Sequence, residues 1–379
     1  MKRKVVSALL CAAMVATMVA GCGNSSEPAA TEAPAEESQA ADDATADDTA
    51  EEPAAEDDAA GEDSADGGTI KVGFSQVGAE SDWRTANSES MKSTFSTDNG
   101  YELIFDDAQQ KQENQITAIR NFIQQEVDYI VLAPVTETGW DTVLQEAKDA
   151  AIPVIVVDRM VDVSDDSLYT AWVGSNFELE GKKAAEWLKL YAEAKGIDEI
   201  NIVDIQGTIG ASAQIGRTKG LADAVEANGW NLLAAQTGEF TQAKGQEVME
   251  SMLKQFDNIN VVYCENDNEA FGAIDAIEAA GKTVGPDGDI LVMSFDSTNA
   301  GLTDVLSGDI ICNTECNPLH GPRVEEIIQA LEAGEEVEKQ QFVDEEIFVH
   351  SDEVTSVTVD GTEYPVTVVT QEVIDGRAY

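Results

Sequence analysis

The chain has 379 residues, with 73 acidic against 22 basic side chains and a formal net charge of −51. That length exceeds one typical core and suits about two domains. The charge argues against neutralising phosphates, so neither nucleic acid nor an anionic membrane surface is expected as a direct partner; a neutral or cationic ligand is favoured.

Residues 1–21 read as a secretory leader: a basic start, Lys2-Arg3-Lys4, then an apolar run from Val5 to Ala20 that is short for a membrane span. The run ends in "VAGC", which resembles a bacterial lipobox and implies a lipid on Cys22. Residues 22–68 follow as Ala, Asp, Glu, Ser and Pro without Lys or Arg or any apolar periodicity. Such a segment cannot offset its ordering entropy, so a disordered acidic tether is expected.

From residue 69 the pattern changes. Strands are expected over 69–78, 101–107, 127–134, 152–157 and 167–175, alternating with helices over 83–97, 112–125 and 140–150. In the second of these helices Ile116, Ile119 and Phe122 share one face. A helix over 178–195 follows, and then the programme restarts. Strands are expected at 200–210, 231–238, 259–264, 289–295 and 308–314, with helices at 212–228, 242–256, 267–281 and 318–334. The tail, 340–379, reads as strands with a turn at "VDGTEYP". The repeated βα unit and continuous apolar runs such as "PVIVV" signal an α/β fold of two doubly wound parallel-sheet lobes.

Ligands of open α/β sheets bind beyond the carboxyl ends of the strands. Those ends carry "GAESDWR" (78–84), Asp158-Arg159, Arg217 on the helix after the second lobe's first strand, Phe240, Asn266 and Asp296. Carboxylates and guanidinium forks suit hydroxyl groups, and flat rings such as Trp83 and Phe240 suit sugar C–H faces. Strand ends can hold charge stiffly while it faces a cleft, so Asp158 and Arg159 need not be buried. Taken singly, each has a plainer reading: Asp158-Arg159 as a local ion pair or helix cap, Trp83 or Phe240 as core, Arg217 as a solvated helix residue, Asn266 as a helix cap. Their agreement on one edge of two matching lobes carries the site.

Other chemistries find no footing. There is no G-x-x-x-x-G-K-[ST], no G-x-G-x-x-G after either first strand and no G-x-S-x-G, so no cofactor and no enzymatic activity are expected. "DNEAFGAIDAIE" (267–278) mimics a calcium loop, but its apolar spacing is helical. Asp158 and Asp296 could form an acid/base pair, yet neighbouring arginines should keep both ionised. Cys264, Cys312 and Cys316 allow at most one disulfide, and His320 and His350 lie in no zinc-like spacing, so no metal is expected.

At "GFSQVGAESDWR", "DAQQKQENQ", "APVTETGW", "PVIVVDR" and "GTIGASAQIGRTKG" the chain resembles the periplasmic sugar-binding proteins of ABC transporters, of the ribose-binding type, over about residues 69–340. Several of these stretches are like the galactofuranose-binding subgroup. The resemblance implies a type I periplasmic binding fold: a first lobe of 69–175 plus 317–342, a second of 176–316, a three-crossing hinge, and a tail, 343–379, outside the likeness. It implies sugar contacts from Glu80, Ser81, Asp82, Trp83, Arg84, Asp158, Arg159, Arg217, Asn266 and Asp296, with Phe240 stacking on the ring. Asp82 stands where a small residue is expected and would add negative charge near the sugar. The implied function is an extracytoplasmic, lipid-anchored monomer that captures a monosaccharide, galactofuranose or a related furanose, by hinge closure and delivers it to ABC permease subunits. The alternative is a sugar sensor that presents its closed form to a receptor kinase or chemoreceptor.

Overall fold

A computed structural model describes residues 68–379. The leader, Cys22 and the acidic tether lie outside the described residues.

The first lobe begins β1 (Ile70–Gln76), α1 (Asp82–Thr94), β2 (Tyr101–Asp107), α2 (Gln112–Gln124), β3 (Tyr129–Leu132), α3 (Asp141–Asp149), β4 (Val154–Val157), β5 (Ala171–Gly174). The second follows with α4 (Phe177–Lys195), β6 (Asn201–Gln206), α5 (Ser212–Asn228), β7 (Asn231–Thr237), α6 (Gln242–Gln255), β8 (Val261–Cys264), α7 (Asp267–Ala279), β9 (Leu291–Asp296), α8 (Asn299–Ser307) and β10 (Cys312–Glu315). The chain then returns to the first lobe with α9 (Gly321–Glu332) and β11 (Gln340–Phe342), and crosses again to β12 (Ile347–Val349). A hairpin, β13 (Ser356–Val359) and β14 (Thr362–Pro365), precedes β15 (Thr367–Val368) and α10 (Gln371–Asp375).

One sheet has the order β11-β5-β4-β3-β1-β2, parallel throughout; the other runs β15-β12-β10-β9-β8-β6-β7, with β12 antiparallel to β10. Both are doubly wound: the chain works outward from a central strand, then reverses. The tail's β12 and β15 thus extend the second sheet.

The run "VIVV" of β4 is apolar at every position because both faces are covered. Ile155 and Val157 enter the core under α1 and α9, while Val154 and Val156 enter the core under α2 and α3. Each such side chain stabilises by about 1.5–3 kcal/mol on burial. The second sheet is sandwiched in the same way. The helix α8 is absent from the sequence reading, although Thr298 caps its start by accepting from the Gly301 amide and Gly308 ends it in the left-handed conformation. The Asp-Gly pair at 360–361, with φ 50° and 83°, forms the tight β13–β14 turn.

The lobes are joined at three crossings: 175–176 between β5 and α4, 316–320 between β10 and α9, and 343–346 between β11 and β12. A small apolar cluster of Trp83, Phe177, Ala211, Ala213, Phe240 and Cys316 draws on both lobes and lies beside the crossings.

Candidate functional site

The carboxyl ends of both sheets face one another across a small, tightly closed cavity. Its lining includes Glu80, Ser81, Trp83, Arg84, Asp158 and Arg159 from the first lobe and Arg217, Phe240, Asn266 and Asp296 from the second.

Ten of the eleven ligand contacts expected from sequence therefore share this cavity. Asp82 does not: it is the first residue of α1, its side chain is exposed, and only its amide matters here, donating to Asn268 Oδ1 (3.0 Å) across the lobes. One turn geometry explains both neighbours. Ser81 caps α1 by accepting from the Arg84 amide (3.1 Å), which turns Trp83 and Arg84 inward and Asp82 out. Phe177, Ala213 and Cys316 also line the cavity and were not singled out from sequence. Phe177 and Cys316 stand at crossings, which strand-end reasoning does not reach.

Several of these residues are held in a conformation that disfavours side chains. Asp158, Phe240 and Asp296 have φ of 62°, 60° and 97°, and Glu239 and Ser297 join them at 56° and 55°. A left-handed non-glycine residue costs on the order of 1–3 kcal/mol in a sparsely populated region, and such strain gathers where geometry serves a ligand. At Asp158, Phe240 and Asp296 this turns the chain off its strand so that the side chain lines the cavity. Gly207 gives Phe240 its place, since a Cβ there would enter the ring.

In the first lobe four charges interlock. Arg84 Nε donates to Glu80 Oε1 (3.0 Å), and its Nη1 lies 2.8 Å from Asp158 Oδ2. Arg159 Nη1 donates to the Val135 carbonyl (3.0 Å), with Glu80 and Asp158 at 3.8 and 3.9 Å. Asp158 and Arg159 are 3 and 2 % exposed, which corrects the expectation that a strand-end pair need not be buried. Closure of one lobe on the other supplies the burial: Arg159 stacks on Phe240 at 5.0 Å. Burial opposes ionisation of Asp158, but Arg84 and Arg159, with His320, outweigh it and hold its carboxyl below the usual range. Burial and then repulsion from Arg84 bring the Arg159 guanidinium down to about 10, against the pull of Asp158 and Glu80. Asp158 Oδ2 is engaged by Arg84, whereas Glu80 Oε2 has no hydrogen-bond partner, so one enclosed acceptor stands ready for a hydroxyl donor.

In the second lobe Arg217 is the cation. It is 2 % exposed, not solvated. Its Nε donates to Glu180 Oε2 (2.7 Å), Nη2 approaches Asp296 Oδ1 (3.5 Å), and Nη1 donates to the Glu265 carbonyl. Close contact of α4 with α5 makes this reach work: a Cβ on Gly181 would lie 2.8 Å from the Arg217 carbonyl. Asp296 differs from Asp158. Burial drives its carboxyl well above the ordinary range despite Arg217, so the expectation that arginines keep both ionised fails for Asp296. Asn266 serves two ends at once. Its Oδ1 caps α7 by accepting from the Glu269 amide (2.8 Å), and its Nδ2 donates to the Phe240 carbonyl (3.2 Å).

The cleft rim is bridged as well. The Glu137 amide donates to the Gly210 carbonyl (2.9 Å) and the Met160 amide to Ser212 Oγ (2.9 Å). The geometry is that of a closed cleft. Three guanidinium groups, enclosed acceptors and the rings of Trp83, Phe177 and Phe240 together can hydrogen-bond a polyol around its rim and cover its C–H faces. The three cysteines of the described residues are free and buried.

Comparison with known proteins agrees in fold and in extent. A family model described as "Periplasmic binding protein domain" matches residues 72–314. The galactofuranose-binding protein YtfQ of Escherichia coli (strain K12) is 45% identical over 258 residues, 67% of this chain and 79% of that protein. A Mycobacterium smegmatis structure in complex with β-D-fucofuranose superposes with a TM-score of 0.71 at 43% identity, covering 75% of this chain and 92% of that one. The periplasmic binding component of the arabinose ABC transporter of Shewanella sp. ANA-3, bound to α- and β-L-arabinofuranose, gives 0.70 at 41% identity, covering 75% and 93%.

Proposed function

We propose a function from one premise: the chain belongs to the periplasmic binding protein family. It captures a single furanose-type monosaccharide, galactofuranose or a close relative, and hands it to the membrane subunits of an ABC importer. The observation that carries this reading is the convergence of Arg84, Arg159 and Arg217 with Trp83 and Phe240 on one enclosed cavity fed by both lobes. The ligands bound in the similar structures, β-D-fucofuranose and L-arabinofuranose, support a five-membered ring.

Binding works by division of labour. The first lobe presents Glu80, Asp158, Arg84 and Arg159 as a preformed charged lattice that accepts from and donates to hydroxyls. The second brings Arg217, Asn266 and Asp296 to the other side, and the rings close over the C–H faces. Closure expels water, so each hydrogen bond is made at low dielectric. The protein acts outside the cytoplasm, held to the outer face of the cell membrane by lipid on Cys22. It is a monomer and performs no turnover, so the sugar leaves unchanged.

Titration calorimetry against galactofuranose, arabinose, ribose and galactose tests the reading. The expected result is micromolar or tighter binding of a furanose, about −8 kcal/mol or better. Absence of heat with all four refutes the sugar reading. Recovery of a chemically altered sugar after incubation refutes the binding-only role.

A further inference from the structure

All three inter-lobe crossings meet at one carboxylate. Ser175 Oγ of the first crossing and the Asn317 amide of the second (2.9 Å) both donate to Glu345 Oε1 of the third. Lys183 Nζ on α4 donates to the Glu345 carbonyl (3.0 Å). The Glu345 and Glu180 carboxylates and Cys316 Sγ lie within 4.8 Å of one another. Glu180 is 1 % exposed; its Oε2 holds Arg217, and its Oε1 has no donor.

Two buried carboxylates this close cannot both stay ionised without further positive charge. Arg217 is already shared between Glu180 and Asp296, and Lys183 is spent on a backbone carbonyl. A bound cation would meet both of these positive groups. We infer that Glu345 and Glu180 hold one proton between them and act as positioning residues for Arg217, so that the third crossing and the cavity guanidinium move as one unit. The ligand half of this inference rests on the proposed sugar binding; the shared proton does not.

Every charged neighbour is consistent with that sharing. Arg217 on α5 and Lys183 on α4 favour the ionised member, while Glu315 and the Cys316 thiol at the end of β10, Asp296 at the end of β9 and Asp344 in the third crossing add no positive charge. Burial raises the Cys316 thiol, which stays protonated, and burial together with the mutual repulsion of the pair raises Glu345. The sign follows from linkage. A carboxyl raised on folding contributes stability below its unfolded range and loses it as pH rises through the folded value.

Two readouts test the pair, and the first needs no sugar. Infrared difference spectra of full-length ligand-free protein, wild type minus Glu345→Gln and wild type minus Glu180→Gln, should each show loss of a protonated-carboxyl band at neutral pH. Wild-type melting should fall as pH rises above the ordinary carboxylate range, and Glu345→Gln should flatten that fall, while Glu345→Ala lowers melting at every pH. Affinity for arabinose should weaken in the wild type by about tenfold over the same span, as a one-unit difference in the pair's proton affinity between open and closed forms requires, and should lose that pH dependence in Glu345→Gln. Difference spectra without the band, or an unchanged melting slope in Glu345→Gln, overturn the shared proton. A band that behaves as expected in a protein that binds none of the sugars supports the pair and strikes the sugar reading instead.

Discussion

The two halves of the cavity solve the same problem with opposite electrostatics. In the first lobe two guanidiniums face two carboxylates, and Asp158 is held ionised below the usual range. In the second, Arg217 stands among Glu180, Asp296 and the buried Glu265 and Glu269. Burial raises all four carboxyls, Glu265 to about 8. The first half is a balanced ionic lattice; the second is an acid-rich pocket around one cation. A buried pair is weak evidence of net stability, but removing one partner leaves an uncompensated charge. The second half therefore depends on its one arginine for folding as well as for ligand, whereas the first can lose a member and redistribute its contacts.

The largest expected consequence is at Arg217. Arg217→Ala strands Glu180 and Asp296 and removes the cation over Phe295 (4.8 Å). It should destabilise the ligand-free protein by about 3–5 kcal/mol in urea denaturation, with sugar binding abolished. A stability within about 1 kcal/mol of wild type would erase the contrast between the halves.

Titration should sharpen the contrast next. Asp158, lowered on folding, contributes stability above its unfolded value and loses it as pH falls through the folded one. Asp296, raised on folding, contributes below its unfolded value and loses it as pH rises through the folded one. Asp158→Asn should therefore reduce the acid-side loss in melting, and Asp296→Asn the loss toward neutral pH. His320, lowered to about 4 by burial, adds its own loss between about 6.5 and 4, so Asp158→Asn should not remove the acid limb entirely. Identical pH profiles for the two variants would show the halves to be electrostatically alike.

The smallest effect is expected at the rim. Asn268→Ala removes the inter-lobe acceptor of the Asp82 amide. A net hydrogen bond of about 0.5–1.5 kcal/mol predicts up to about tenfold weaker sugar binding, with ligand-free melting unchanged, because the bond exists only when the cleft is closed. Unaltered affinity would show that this contact does not contribute to closure.

Much of this was legible before the structure. The two-lobed parallel fold follows from βα spacing and unbroken apolar strands, and the strand-end rule assembled Glu80, Trp83, Arg84, Asp158, Arg159, Arg217, Phe240, Asn266 and Asp296 without knowledge of the lobes' closure. What escaped is non-local. The burial of Asp158, Arg159 and Arg217 comes from lobe meeting lobe, and no window of sequence contains that contact. Glu180 reads as one more acid on a helix until α5 is laid across it. Asp82 misleads because a single helical step of about 100° separates an outward side chain from the inward Trp83. The helix α8 carried an ordinary Thr cap and terminal Gly, so its signal was present and passed over.

A sugar gripped from both sides must lose affinity when either half is cut, and titration calorimetry of galactofuranose with Arg159→Ala and Asp296→Ala reads this directly. Each variant should bind about ten- to a hundredfold more weakly, the roughly 1.5–3 kcal/mol of a lost charged hydrogen bond, while ligand-free melting stays near that of the wild type because water replaces the contact in the open cleft. Retained affinity in either variant, with melting lowered by many degrees, would assign that residue to the scaffold and contradict a ligand held by both lobes.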